Sequence, residues 1–181
     1  MTTFEMLLLA LNVLFLIGLV GTYTERRQAR KNRTIAEVDA LRGNGQYRAA
    51  IRVINASRRE GAAITPTSAL AKIEKGEASD EDTTVFNAAL IVLGRLEVLA
   101  GGIREGVFDE YTFKRAYFTT IVEVIAGHAD FIEAYRIHCQ KKKTAGAATA
   151  LNTVYQDIKW LVTRWQNRPL KESREWWRRF V

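Results

Sequence analysis

The chain opens on an unbroken apolar run. From Met6 to Tyr23 there is no charged side chain, and Met6–Val20 reads MLLLALNVLFLIGLV. Apolar residues fall on every face of a helix there, leaving no stripe for water. About twenty such residues cross a hydrocarbon layer about 30 Å thick. Phe4 extends the run, and Glu5 and Tyr23 suit its two ends. The pattern predicts a transmembrane anchor over residues 1–23. A cleaved leader carries positive charge before its apolar segment; here Glu5 precedes the run and the arginines follow it. Asn12 is the one amide inside the run, and a second copy of the chain could satisfy it.

Beyond residue 23 the apolar positions recur every three or four residues, the helical period. The anchor continues as helix through a basic segment into TIAEVDAL, with Ile35, Val38 and Leu41 on one face, until Gly43-Asn44-Gly45 breaks it. A second helix from Gln46 to about Arg59 aligns Tyr47, Ile51 and Ile54 and stops at Gly61, making a helical hairpin over 24–60. Residues 61–79 read as a linker holding a short helix from Ser68 to Lys75. The core bundle is expected over 80–168. Ser79 caps a helix over about 80–105, with the acids of Asp80-Glu81-Asp82 at its positive end. Val85, Phe86, Ala88 to Leu93, Leu96, Val98, Leu99 and Ala100 cover nearly all its faces, so other helices must surround it. Gly94, Arg95 and Glu97 make its apolar stretch too short and interrupted for a second span. Asp109 caps one long helix from Glu110 to Gln140, whose stripe runs from Phe113 through Ile121 and His128 to Cys139. A further amphipathic helix covers 144–166, and Pro169 sets off a Trp/Arg tail over 169–181. The fold class is all-α: a transmembrane helix followed by a small cytoplasmic helical bundle.

Charge fixes the orientation. Arg26, Arg27, Arg30, Lys31 and Arg33 stand against Glu25 alone just after the apolar run. Cytoplasmic flanks are enriched in Lys and Arg, so the N-terminus is expected outside and the bundle in the cytoplasm. Each such cation near anionic headgroups contributes on the order of 1 kcal/mol. Part of the net +7 over 181 residues is thus a membrane-surface feature. After residue 34 the basic residues are interleaved with acids and no recognition motif appears, which disfavours nucleic acid as a partner. Cys139 is the single cysteine, so no intrachain disulfide forms, in keeping with a reducing compartment.

Candidate chemistry is sparse. Glu97 lies in an otherwise apolar helix, and a buried carboxylate must be paired, hydrogen-bonded or protonated. Arg136, Lys114, Arg115 and Arg104 are its candidate partners, and Glu97 with Arg136 forms a candidate polar site inside the bundle. That pair reads either as a functional site or as an ion pair fixing helix register. His128 and His138 are not at metal-binding spacing, and with one cysteine there is no zinc signature. Gly101-Gly102 and Gly106 fit close helix packing and a helix stop rather than a phosphate loop. No catalytic, metal or cofactor residue is assigned. In the tail, Trp176, Trp177 and Phe180 share a face flanked by Arg178 and Arg179. Such a face suits capping of the bundle, a membrane interface or a protein interface.

The stretches LGRLEVLAGGIREGVFDEYTFKRAY, DFIEAYR and IKWLVTRW, between Leu93 and Trp165, resemble domain-of-unknown-function family 4760, of bacterial and phage origin. That family's pattern carries an Asn shortly before the glutamate matched by Glu97, where this chain has Leu93-Gly94-Arg95. The resemblance implies a membrane helix followed by a small helical domain, placed here at a bacterial inner membrane, and implies no reaction. Three functional readings stand. The first is a non-enzymatic interaction or regulatory protein, with a protein partner or a second copy as its ligand. The second is a prophage-type defence or superinfection-exclusion factor. The third is an enzyme with its site around Glu97.

Overall fold

The computed structural model describes residues 3–57, 64–141 and 154–167. Among these residues every regular element is an α-helix: α1 (Thr3–Gly43), α2 (Gly45–Ser57), α3 (Pro66–Lys75), α4 (Asp80–Arg104), α5 (Glu110–Gly127), α6 (Ala129–Lys141) and α7 (Gln156–Asn167).

Helix α1 runs without a break for 41 residues. Its first half carries exposed large apolar side chains from Phe4 to Tyr23, among them Leu14, Phe15 and Ile17. Among the described residues nothing lies within 4 Å of a Cβ built on Gly18 or Gly21. Its second half packs on the bundle through Thr34, Val38 and Leu41, all buried. These positions follow the i, i+4, i+7 spacing of one helical face. Ile35, expected on that face, is instead exposed, because a residue beside Thr34 is turned about 100° away. The Thr34 hydroxyl donates to the Arg30 carbonyl at 2.8 Å and accepts the Asp109 N–H at 2.7 Å, tying α1 to the cap of α5.

Local chemistry sets most boundaries. Asn44 accepts the Tyr47 N–H at 2.9 Å at the start of α2. Helix α3 begins at Pro66, two residues before the expected Ser68, because Thr65 and Ser68 form a capping box with proline in the first turn. Gly76, at φ 75°, closes it. Ser79 caps α4 as expected, in a capping box with Asp82, and the Asp109 carboxylate caps α5 through the Thr112 N–H at 2.9 Å. At the end of α4 the Val107 N–H reaches back to the Gly102 carbonyl at 2.8 Å and the Gly106 N–H to that of Ile103, with Gly106 left-handed at φ 71°. Those two bonds form a Schellman stop, which requires a residue tolerant of positive φ.

The expected single helix over Glu110–Gln140 is two. Helix α5 ends at Gly127, where the His128 N–H bonds the Ile125 carbonyl three residues back, and α6 starts at Ala129. The break spans one residue, so the apolar stripe continues through it: Ile121, Val124, His128 and Phe131 are all buried. The helix expected over 144–166 begins at Gln156. Val154 and Tyr155 form a turn, with Tyr155 at φ 56°, and residues 144–153 lie outside the described residues, as does the tail over 169–181.

Helix α4 is the centre, with α2, α3 and α7 packed on it. Val85, Ala88, Ala89, Val92, Leu93, Leu96, Leu99, Ala100 and Ile103 are buried, whereas Val98 is exposed. By length and composition α4 could cross a membrane, with mean hydropathy 1.6, so the expectation that it is too short and interrupted does not hold. Protein already covers 44% of that window, which suits the core helix of a bundle. One contiguous core runs from Val38 to Trp165 and draws on all seven described helices; the segment read as a linker contributes Leu70 to it.

Candidate functional site where α4 meets the start of α7

Glu97, Gly101 and Arg104 lie at i, i+4, i+7 on α4 and face the first turn of α7. The half-buried Glu97 carboxylate accepts the Asp157 N–H at 3.1 Å and the Ile158 N–H at 2.9 Å. The first N–H groups of a helix lack partners within it. Glu97 therefore supplies to α7 a cap that α7's own sequence does not, and puts negative charge at its positive end. The Asp157 carboxylate turns the other way, to the Arg104 guanidinium. Gly101 makes room for this: a Cβ there would stand 2.9 Å from Asp157 Oδ2. Gly102 does the same for the Phe108 ring, which a Cβ would strike. From the opposite side, Arg136 on α6 donates through Nε to the Val154 carbonyl at 2.9 Å. Glu97 and Arg136 thus hold one turn, residues 154–158, from two helices, and their hydrogen bonds go to that turn's backbone rather than to each other. Burial pushes the Glu97 carboxyl above its ordinary value; the Ile158 and Asp157 N–H groups pull it back, and the charge of Asp157 raises it. Burial also raises the Tyr155 hydroxyl.

The other end of α7 carries a second polar cluster. Glu110 on α5 receives Arg164 through two parallel bonds, Nε at 2.8 Å and Nη2 at 2.9 Å, and the Trp165 indole N–H at 3.2 Å. Such forked pairing is the strong form of the guanidinium–carboxylate contact, and it holds the Glu110 carboxyl below its usual range. Lys114 is buried, with Nζ 3.5 Å from the Trp165 carbonyl and above the rings of Phe118 (5.3 Å) and Trp165 (5.6 Å). Burial lowers its ammonium pKa. Trp165 itself is fully buried against Phe113 and Phe118.

The segments that carried the resemblance meet here: Glu97, Gly101 and Gly102 on α4, Glu110 and Lys114 on α5, Arg136 on α6, and Ile158, Arg164 and Trp165 on α7. A family described as a domain of unknown function, DUF4760, matches residues 5–165. The chain belongs to this family. No curated protein and no solved structure matches it. The DUF4760 match reaches from the apolar start of α1 to Trp165, so both clusters at the ends of α7 fall inside it.

Three of the expected partners of Glu97 are elsewhere in this DUF4760 chain. Lys114 lies at the far end of α7, Arg115 is exposed, and Arg104 pairs with Asp157. The acceptor needs of Glu97 are met by backbone donors, which a search for opposite charges does not consider. Asp157, Glu110 and Arg164 were not singled out from sequence; their partners lie more than fifty positions away. From sequence Asp82 is a helix-start acid and no more. It is buried, bonded to Lys72 Nζ at 2.8 Å and to the Ser79 hydroxyl at 2.6 Å, and these partners pull its pKa down to about 2. His128 Nδ1 lies 2.7 Å from the Val124 carbonyl and His138 Nδ1 2.8 Å from Glu74. Cys139 is a free, half-buried thiol. Among the described residues no three of His, Cys, Asp and Glu converge as metal ligands. Arg26, Arg27 and Arg33 are exposed on α1, and Arg30 and Lys31 are half-buried where α1 reaches the bundle. Trp176, Trp177, Arg178, Arg179 and Phe180 lie outside the described residues.

Chemically, the α4–α7 junction is a clamp. Both oxygens of Glu97 are taken by backbone N–H groups, and Asp157 is taken by Arg104. The arrangement fixes where α7 starts and how it lies on α4.

Proposed function

We propose that this DUF4760 protein is a single-pass membrane-anchored interaction protein of non-catalytic type. Residues 4–23 of α1 cross a bacterial inner membrane with the N-terminus outside. Arg26, Arg27, Arg30, Lys31 and Arg33 meet the anionic headgroups of the cytoplasmic leaflet, and the bundle below them docks a protein partner. The observation that carries the reading is the contrast along α1. Thr34, Val38 and Leu41 are buried in the core, whereas Phe4, Met6, Leu8 and the large apolar side chains from Leu11 to Tyr23 are left exposed. An exposed apolar surface of that extent marks a membrane or protein contact, and its length is that of a span. The length and hydropathy of α4 are accounted for by its place in the core, where it is covered by α2, α3 and α7. The non-catalytic part rests on the α4–α7 junction, whose carboxylates are engaged in holding helices.

The test uses the full chain in bacterial cells. Membranes are washed with alkaline carbonate and the protein is sought in pellet and supernatant. Orientation is read with a membrane-impermeant maleimide in a Cys139→Ser background. Thr2→Cys should label in intact cells and Gln166→Cys only after permeabilisation. Recovery in the supernatant without detergent refutes the anchor, and labelling of Gln166→Cys in intact cells refutes the orientation.

A further inference from the structure

Three arginines that brace the bundle are neutralised. Arg104 pairs with Asp157, Arg136 lies 3.6 Å from Glu133, and Arg164 is forked onto Glu110. Arg42, Arg48 and Arg52 differ. All three are exposed, and among the described residues no carboxylate pairs with any of them. They surround one groove of about 340 Å³ whose floor is Leu41, Tyr47, Ile51 and Tyr117, where α1, α2 and α5 meet. Arg48 and Arg52 are one turn apart on α2, and Arg42 reaches across from α1 with its guanidinium 5.9 Å from the Tyr117 ring centre. An apolar floor flanked by unneutralised guanidiniums is complementary to a ligand with the opposite layout, an apolar stripe between carboxylates.

We infer that this groove on α1, α2 and α5 docks an acidic amphipathic helix of a protein partner. Apolar side chains of such a helix at i, i+3, i+4 and i+7 fill the floor, as in other helix-in-groove complexes. Its flanking carboxylates take the guanidiniums, in the forked geometry that arginine favours. A lipid headgroup fits less well. With α1 inserted, Arg42 lies about 28 Å beyond Tyr23 along the helix, past a polar headgroup layer of roughly 5–8 Å and the further ~8 Å over which its charge is felt. A nucleic-acid backbone is recognised by basic surface without need of an apolar floor. The inference rests on reading the bundle as a docking module; only the setting aside of lipid rests on α1 being inserted.

The experiment uses the full chain in neutral detergent and a fluorescein-labelled synthetic helix with leucines at i, i+3, i+4 and i+7 and glutamates between them. Anisotropy should report saturable binding that weakens with salt. It should weaken roughly tenfold or more in Arg48→Glu/Arg52→Glu, as expected for close charge pairs, and similarly in Ile51→Asp. A peptide with lysine in place of glutamate should bind the doubly reversed variant better than the original chain. Arg48 and Arg52 are exposed, so an unchanged melting curve certifies the fold. The inference is overturned if no saturable binding occurs, if the double variant binds equally, or if a glutamine version of the peptide binds as well. It is also overturned if anionic phosphatidylglycerol vesicles or a single-stranded oligonucleotide bind with the same Arg48/Arg52 dependence and displace the peptide. Failure here leaves the carbonate and labelling results untouched, so the two readings fall separately.

Discussion

Replacing Glu97 by alanine removes the carboxylate by which α4 caps α7. Two donors lose their acceptor, the N–H groups of Asp157 and Ile158, at 3.1 and 2.9 Å. Ile158 is 1% exposed, so water does not readily take the place of the carboxylate there. A buried donor left unmet costs about 1–3 kcal/mol, and loss of a helix cap costs about 1 kcal/mol. Relief of the burial that raises the Glu97 pKa offsets part of this. The net expectation is a loss of about 2–3 kcal/mol for Glu97→Ala, or roughly 5–10 °C in melting temperature for a chain of this size. Glu97→Gln keeps one acceptor oxygen and should lose about 1 kcal/mol. Melting of the full chain followed by circular dichroism gives the magnitude, and hydrogen exchange over residues 156–167 gives the location. The pH dependence carries a sign as well. Because the folded carboxyl titrates above its ordinary value of 4.5, the folded state holds the proton more tightly than the unfolded chain. Stability contributed at this position therefore falls as pH rises from about that value through the folded pKa, and Glu97→Gln should remove that slope. A melting temperature of Glu97→Ala within about 2 °C of the parent, with no faster exchange in α7, would refute the clamp.

Asp82 carries the opposite sign. Its pKa is pulled from 3.8 to about 2, so its stabilising contribution is fully present above pH 3.8 and is lost as pH falls toward 2. The stability gap between the parent and Asp82→Asn, measured by denaturant titration, should be constant above that range and shrink below it. Gly102→Ala drives a methyl group into the Phe108 ring. Overpacking of about 1–3 kcal/mol is partly offset by alanine's helix preference of about 1 kcal/mol, and a lower melting temperature should result. Gly94→Ala is its control: nothing lies within 4 Å of the added Cβ, so melting should rise by the equivalent of about 0.5–1 kcal/mol. Trp165→Ala empties a fully buried site and should cost about 3–5 kcal/mol by the same measurement.

How far the fold was legible depends on the range of the interaction. Ser79 and Asp109 were identifiable as caps because their partners are three residues away. The break at Gly127–His128 was not, because a one-residue interruption leaves the apolar stripe in phase. Hydropathy alone places Ile35 inward, but it is exposed. Thr34 holds that position because its hydroxyl satisfies the Asp109 N–H, a donor 75 positions away. The same holds at the candidate site. Glu97 stood out as a carboxylate in an apolar helix, yet its partners are main-chain groups 60 and 61 positions on. Residue type says nothing about which backbone N–H groups are left over at a distant helix start. The arginine-rimmed groove was hidden for a related reason: Arg42, Arg48, Arg52 and Tyr117 converge only once α1, α2 and α5 are packed.

The continuity of α1 has a mechanical meaning. A helix of 41 residues is a rod of about 60 Å, and it has no glycine pair, proline or turn between its exposed and its packed halves at which to flex. Tilting or sliding the outer half must therefore displace the inner half, levering Thr34 against the first turn of α5 and Leu41 and Arg42 against the groove. A displacement at one end is thereby carried to the opposite end, over a coupling length set by the rod itself.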